Sequence, residues 1–306
     1  MNQNKSHFYE DDEINLKELI MSLWGSKLII TCITTIFAIV SVLWALAIPN
    51  QYQSSSLLKV VDDGQSQSSA GISLPSSILG LDLGAAAGSG KAGLIIATVE
   101  SRDFFRSLLE YNEIKSTLLA FKEYDSELNE IIYDTSIYDK DNKTFTGNTL
   151  TTPSFEKSYS KYRNILSIYL TKSGFIKLDA THQSPEFAFQ FITTIIDEIN
   201  STSRAAAIKD TEASLSYLYE KLTDTKKIEI KNSINQIITS KLKLQMMAQV
   251  IDKYSLDPID TPFVPEMKVS PNRARMSILG TILGFIMGIL YTIIRHFGFP
   301  KSTSSE

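Results

Sequence analysis

Two long, uncharged apolar runs, one near each end, constrain this chain more than any other feature. Residues 28–48 (LIITCITTIFAIVSVLWALAI) and 277–294 (SILGTILGFIMGILYTII) each have the length of a bilayer-crossing helix. Two crossings put the tails, 1–27 and 295–306, on one side and residues 49–276 on the other. With so little on the tail side, such a chain must act through the other face or through the membrane itself.

The stretch 49–276 is long enough to bury a core of its own. It holds 25 Lys and Arg against 28 Asp and Glu, so it is nearly neutral. That argues against nucleic acid, which would want a basic stripe. The only cysteine, Cys32, lies inside the first run, which excludes an intramolecular disulfide. His7, His182 and His296 are scattered and have no cysteine partners, so no metal site is expected. No nucleophile stands at a recognisable spacing from a base. The pairs Asp62-Asp63 and Asp197-Glu198 read as solvated surface. A protein that is not an enzyme and needs no cofactor is the expectation.

The first run is read as a retained anchor. Ala45-Leu46-Ala47 resembles a cleavage site, but the run is too long for a signal core, and Glu10, Asp11, Asp12, Glu13 and Glu18 precede it. Trp24 and Trp44 would lie about 30 Å apart along a helix, so they mark two interfaces. Flanking charge does not orient the spans. Lys17, Lys27, Arg295 and Lys301 on the tail side balance Lys59, Lys268, Arg273 and Arg275 on the other. An outward-facing 49–276 is preferred because the tails are too short to be useful outside.

Residues 14–24 have helical spacing, either as an interfacial helix or as the start of one continuous helix. Residues 52–61 read as a strand, and 62–93, rich in Gly, Ser and Ala, as a long loop. Ser101 is placed to cap a helix running to about Glu113. Residues 121–150 look charged and turn-like. Residues 165–171 and 175–181, joined by Lys172-Ser173-Gly174, predict a β-hairpin that pairs with the strand leaving the first span. Ser184-Pro185-Glu186 then opens a helix.

From Glu186 to Asp257 there is neither glycine nor proline. One unbroken helix would be about 108 Å long. The proline-punctuated stretch that follows reaches at most roughly 60 Å, so the chain could not return to the membrane. The run must fold back, best at Thr223-Asp224-Thr225. A helical hairpin over about 203–256 follows, with arms 203–222 and 228–254. Leu215, Leu218 and Leu222 form a stripe on one arm. Ile230, Ile234, Ile237, Ile238, Leu242 and Met246 form one on the other. The stripes pack within the hairpin, against a neighbouring subunit, or both.

Gly84 to Lys91 resembles a phosphate-binding loop but fails: the glycine spacing is wrong, and Ala92 stands where Ser or Thr should hold magnesium. It reads as flexible loop. Gly280, Gly284 and Gly288 repeat every fourth residue of the second span and make a smooth stripe for close helix packing. The partner is the first span, a sister subunit or another protein; Thr34, Ala38, Ser41 and Ala45 offer small residues on the first span. Pro258, Pro262, Pro265 and Pro271 stiffen a linker over 258–271. Arg273 and Arg275 are placed to touch lipid headgroups or a glycan pyrophosphate, or to anchor the helix.

This order of parts resembles the Wzz-type polysaccharide co-polymerases, the O-antigen chain-length determinants. The resemblance rests on 172–176 (KSGFI) with 184–188 (SPEFA), on 212–222 (EASLSYLYEKL), on 259–262 (IDTP) with 264–266 (VPE), and on 270–274 (SPNRA) before the glycine-striped span. It weakens in 62–92 and 121–150. It implies an α+β membrane protein of the bacterial inner membrane, with two transmembrane helices flanking a periplasmic α/β base and a protruding long helical hairpin. The tails would be cytoplasmic. It further implies a ring-shaped homo-oligomer, an octamer by resemblance. Its partners would be the O-antigen polymerase, a lipid-linked polysaccharide and membrane lipids. Such a ring sets lipopolysaccharide O-antigen chain length without catalysis. The short C-terminal tail leaves no room for the kinase that larger relatives carry. The alternative is a co-polymerase for capsule or exopolysaccharide export, working with a separate cytoplasmic tyrosine kinase. A two-span sensory receptor ranks far behind, for want of an output domain.

Overall fold

A computed structural model of the chain describes residues 23–61, 83–146 and 153–298. The chain divides into two compact units, Met1–Asn50 with Val269–Glu306, and Gln51–Lys268. The expected helix over 14–24 lies almost wholly outside the described residues, as do 62–82 of the expected loop.

The first unit is built on two helices, α1 (Lys27–Ala47) and α8 (Arg273–Gly298), each long and apolar enough to cross a membrane. Most large apolar side chains of both are exposed, as lipid-facing side chains must be, while Ile30, Ile33 and Phe37 among others are half-buried. Their hydroxyls are satisfied within each helix: Thr34 Oγ1 donates to the Ile30 carbonyl at 2.8 Å, and Thr292 Oγ1 to the Gly288 carbonyl at 2.9 Å. Helix α8 starts at Arg273, four residues before the apolar run. Asn272 Oδ1 accepts from the Arg275 backbone N–H at 3.2 Å and so satisfies one donor of the first turn.

In the second unit the strands β1 (Gln51–Val60), β6 (Leu166–Leu170), β7 (Ile176–His182) and β8 (Leu256–Asp260) run in the order β6-β7-β1-β8. The predicted hairpin is β6-β7, paired from Leu166↔Ala180 to Leu170↔Ile176. Gly174 takes φ +81° in its turn, where an L side chain would be strained. Strand β7 pairs in turn with β1, antiparallel, from Tyr52↔His182 to Leu58↔Ile176. Alternate residues of these strands, Leu58, Leu166, Ile168, Ile176, Leu178 and Ala180, share one core with the helices.

Those helices are α2 (Leu83–Val99), α3 (Arg102–Leu108), α4 (Asn112–Ala120), α5 (Phe155–Ile165) and α6 (Pro185–Asp224). Phe104, Phe105, Tyr162, Phe187 and Phe191 are buried at the centre of this core. The Tyr162 hydroxyl donates to the Val99 carbonyl at 2.6 Å, which satisfies its one polar group. Burial also raises the Tyr162 pKa. Short strands make two further antiparallel pairs, β2 (Phe121–Asp125) with β3 (Glu130–Tyr133), and β4 (Tyr138–Asp139) with β5 (Thr144–Phe145). Between β8 and α8 lies a last short strand, β9 (Lys268–Ser270).

Four expectations are corrected here. Residues 83–93 are not loop but the first turns of α2. Alanine-rich sequence is the best helix former, and Ala92, Ile95 and Val99 then meet the core on one stripe. The glycine-rich motif Gly84–Lys91 therefore lies on helix backbone. The helix capped by Ser101 ends at Leu108, and α4 begins afresh at Asn112, because two short helices bury both Phe105 and Leu118. Residues 121–145 hold strands where only turns were read. Pro258 belongs to β8, opposite Leu58, rather than to a free linker. Proline is tolerated there because β8 is an outer strand in this unit's order, next to a register shift at Leu57/Leu58.

The forty residues of α6 are continuous from the Ser184 cap, whose Oγ accepts from the Phe187 N–H at 3.3 Å. The helix ends at Asp224, and α7 (Ile228–Val250) follows after three residues. The fold-back thus falls at 225–227. The returning arm stops at Val250, four residues before the expected Tyr254, to leave room for the turn into β8.

That turn is fastened by a residue that periodicity did not flag. Asn200 sits among the apolar residues of α6 and is 4% exposed. Its Oδ1 accepts from the N–H groups of Ser255 at 2.8 Å and Leu256 at 2.9 Å, and its Nδ2 donates to the Leu256 carbonyl at 3.0 Å.

A second buried polar group, His182, is wedged against Phe121 and Phe187. Its Nδ1 accepts the Ser184 N–H at 3.1 Å. Burial depresses its pKa from 6.5 to about 4. The folded state therefore holds the neutral ring, while the unfolded chain takes up the proton. Stability is complete above pH 6.5 and falls as pH drops toward 4, by about 3 kcal/mol in all. Thermal melts of the detergent-solubilised protein across that window should show this slope, and His182→Gln should flatten it.

Candidate functional site

No group of three or more His, Cys, Asp or Glu suited to a metal ion occurs among the described residues. The residues singled out in the sequence fall instead on packing surfaces, two within helix pairs and one along the approach to the second span.

The glycine stripe of α8 lies against α1. A Cβ built on Gly280 would overlap the Cβ of Ser41. One on Gly284 would stand 2.5 Å from the Phe37 Cβ and 3.3 Å from the Thr34 Cα. One on Gly288 would stand 3.3 Å from the Ile30 Cα. Of the small residues noted on the first span, Thr34 and Ser41 are at this contact and Ala45 is buried. Phe37 and Ile30 also take part, so the facing surface is not made of small residues alone. Near the ends of the two helices Arg273 Nη2 donates to Asn50 Oδ1 at 3.2 Å, and Arg273 Nε is buried without a partner. Arg275 is exposed.

In the hairpin, Leu215, Ile234 and Ile238 are buried together, with Leu218 and Leu222 packed against them. The stripe read on the returning arm divides. Ile234 and Ile238 turn inward, whereas Ile237 is 47% exposed and Ile230, Leu242 and Met246 are exposed with it. A 3.6-residue period cannot place six residues spread over 17 positions on one narrow seam, so the ones off its centre face outward. Ile237, expected to pack within the hairpin or against a neighbouring subunit, lies outside the hairpin's buried cluster.

Of the four prolines, Pro265 and Pro271 are buried and Pro258 and Pro262 half-buried. The segment is held to β1 by serine side chains. Ser54 Oγ donates to the Phe263 carbonyl at 2.8 Å, and Ser56 Oγ to the Asp260 carbonyl at 2.6 Å. Beyond the run of serines at 54–56, no local pattern announces these two contacts.

Residues 12–107 match the family model described as "Wzz: Chain length determinant protein". Among solved structures, the chain is similar to a "full-length bacterial polysaccharide co-polymerase", 13% identical, with 92% of this chain and 97% of that chain covered at a TM-score of 0.37. A search of curated proteins finds no match. Residues 12–107 take in the first transmembrane helix, the strand that leaves it and the first helices of the core. Over that region, about a third of the chain, the sequence is similar to the Wzz chain-length-determinant proteins.

Proposed function

We propose that the protein regulates the chain length of lipopolysaccharide O-antigen without catalysing any step. The observation that carries this reading is the family match over 12–107, which covers the first span and the first elements of the base that follows it. The chain sits in the bacterial inner membrane with 49–276 in the periplasm, and its short tails face the cytoplasm. Copies assemble into a ring, an octamer, through the base and hairpin; the outward-facing Ile230, Ile237, Leu242 and Met246 supply apolar surface for that assembly. The paired spans meet the polymerase, and Arg273 and Arg275 meet lipid headgroups or the lipid-linked glycan.

Deleting the gene and resolving the lipopolysaccharide on a gel tests the reading. The expected result is loss of the modal band cluster. An unchanged band distribution contradicts the O-antigen role.

A further inference from the structure

The segment between β8 and α8 carries more exposed apolar surface than a soluble loop would keep. Phe263 is 53% exposed, Met267 83% and Val269 57%, and Val264 is exposed with them. Water-exposed apolar side chains grouped in this way mark a contact surface. Three observations choose among possible occupants. First, the segment is tethered to lipid-crossing helices on both sides. Met267 is six residues before Arg273, the first residue of α8. Phe263 is bonded through its carbonyl to Ser54, itself seven residues beyond the end of α1 at Ala47. At about 3.3 Å per residue, no part of it can stray far from a membrane surface. Second, Lys268 stands in the chain between Met267 and Val269, a mixture suited to an anionic headgroup layer over acyl chains. Third, Pro262, Pro265 and Pro271 restrict the backbone, so little main-chain freedom is lost when the segment docks.

We infer that Phe263, Val264, Met267 and Val269 insert into the interfacial layer of the bilayer. This makes the approach to the second span a shallow membrane anchor in its own right. The inference rests on the membrane location of the spans and not on any role in glycan length.

The test is site-directed spin labelling of the full chain in vesicles of phosphatidylethanolamine and phosphatidylglycerol. Met267→Cys and, separately, Val264→Cys are made in a Cys32→Ala background, with Tyr217→Cys, exposed on α6, as the aqueous reference. The expected result is a several-fold higher ratio of oxygen to nickel-chelate collisions at 264 and 267 than at 217. A ratio equal to that at 217 overturns the inference. So does protection from both reagents with spin–spin broadening, which would mean that a second copy of the chain covers the segment. Glycan length in the same strains is read separately, so failure here leaves the functional proposal standing.

Discussion

Replacing Gly280, Gly284 and Gly288 together by leucine is expected to separate the two transmembrane helices. The glycines are where the backbones come closest, and the atoms that a new side chain would strike are not all free to move. At Gly284 and Gly288 they include the Cα atoms of Thr34 and Ile30, each 3.3 Å from the added Cβ. No rotamer change relieves a clash with backbone. Overpacking of this kind costs about 1–3 kcal/mol per site, so three sites together exceed what holds most helix pairs in lipid. The effect should be graded. Gly288→Ala needs a shift of only tenths of an ångström and should be tolerated. Gly280→Ala overlaps the Ser41 Cβ and should not be. Size-exclusion chromatography with light scattering on the solubilised complex, and its thermal midpoint, would read both. A triple variant with unchanged mass and midpoint would leave the stripe without a structural role.

The second large effect is expected at Asn200. Asn200→Leu removes the acceptor of two buried N–H groups and the donor to one carbonyl, where water cannot replace them. Each orphaned buried group costs about 1–3 kcal/mol, so the variant should lose about 4 kcal/mol or more. The damage is not confined to the site. Those bonds fix the turn between α7 and β8, and β8 is the strand that brings the chain back alongside β1. Denaturant unfolding followed by circular dichroism gives the number. A loss below about 1 kcal/mol would mean that the turn is held by something else.

How far these features can be read from sequence depends on the kind of signal. The spans, the β6-β7 hairpin with Gly174, the Ser184 cap and the fold-back near Asp224 are legible because each has a local cause. Those causes are apolar length, turn glycine, capping geometry and the reach of the chain. Helix α2 is not legible in the sequence because its composition, alanine with glycine and serine, serves loop and helix alike; burial of Ala92, Ile95 and Val99 against the core decides between them. Pro258 was assigned to a linker because proline is rare in strands, and nothing in the neighbouring residues announces a strand at the edge of the unit's sheet order. Asn200 is the clearest case of a non-local cause. Its partners lie 55 and 56 residues away, so no window around it could show them.

Surfaces were less legible than elements. The glycine stripe was visible, but three partners were open for it, and its contact with Ile30, Thr34, Phe37 and Ser41 settles one of them within the chain. The apolar stripe on the returning arm was read as a unit, and only the structure separates Ile234 and Ile238 from the outward-facing Ile237. Helical periodicity gives the angle of a side chain about its own axis. It does not say where the neighbouring helix stops covering it.

The central claim, that this chain sets glycan length through its paired spans, is most directly tested in a strain lacking the gene. The length profile of the released polysaccharide would be measured after return of either the wild-type gene or the Gly280, Gly284, Gly288 triple leucine variant. The wild-type gene should restore a modal cluster, and the variant should shift or abolish it at equal protein level. Identical profiles with both, or no change with either, would contradict it.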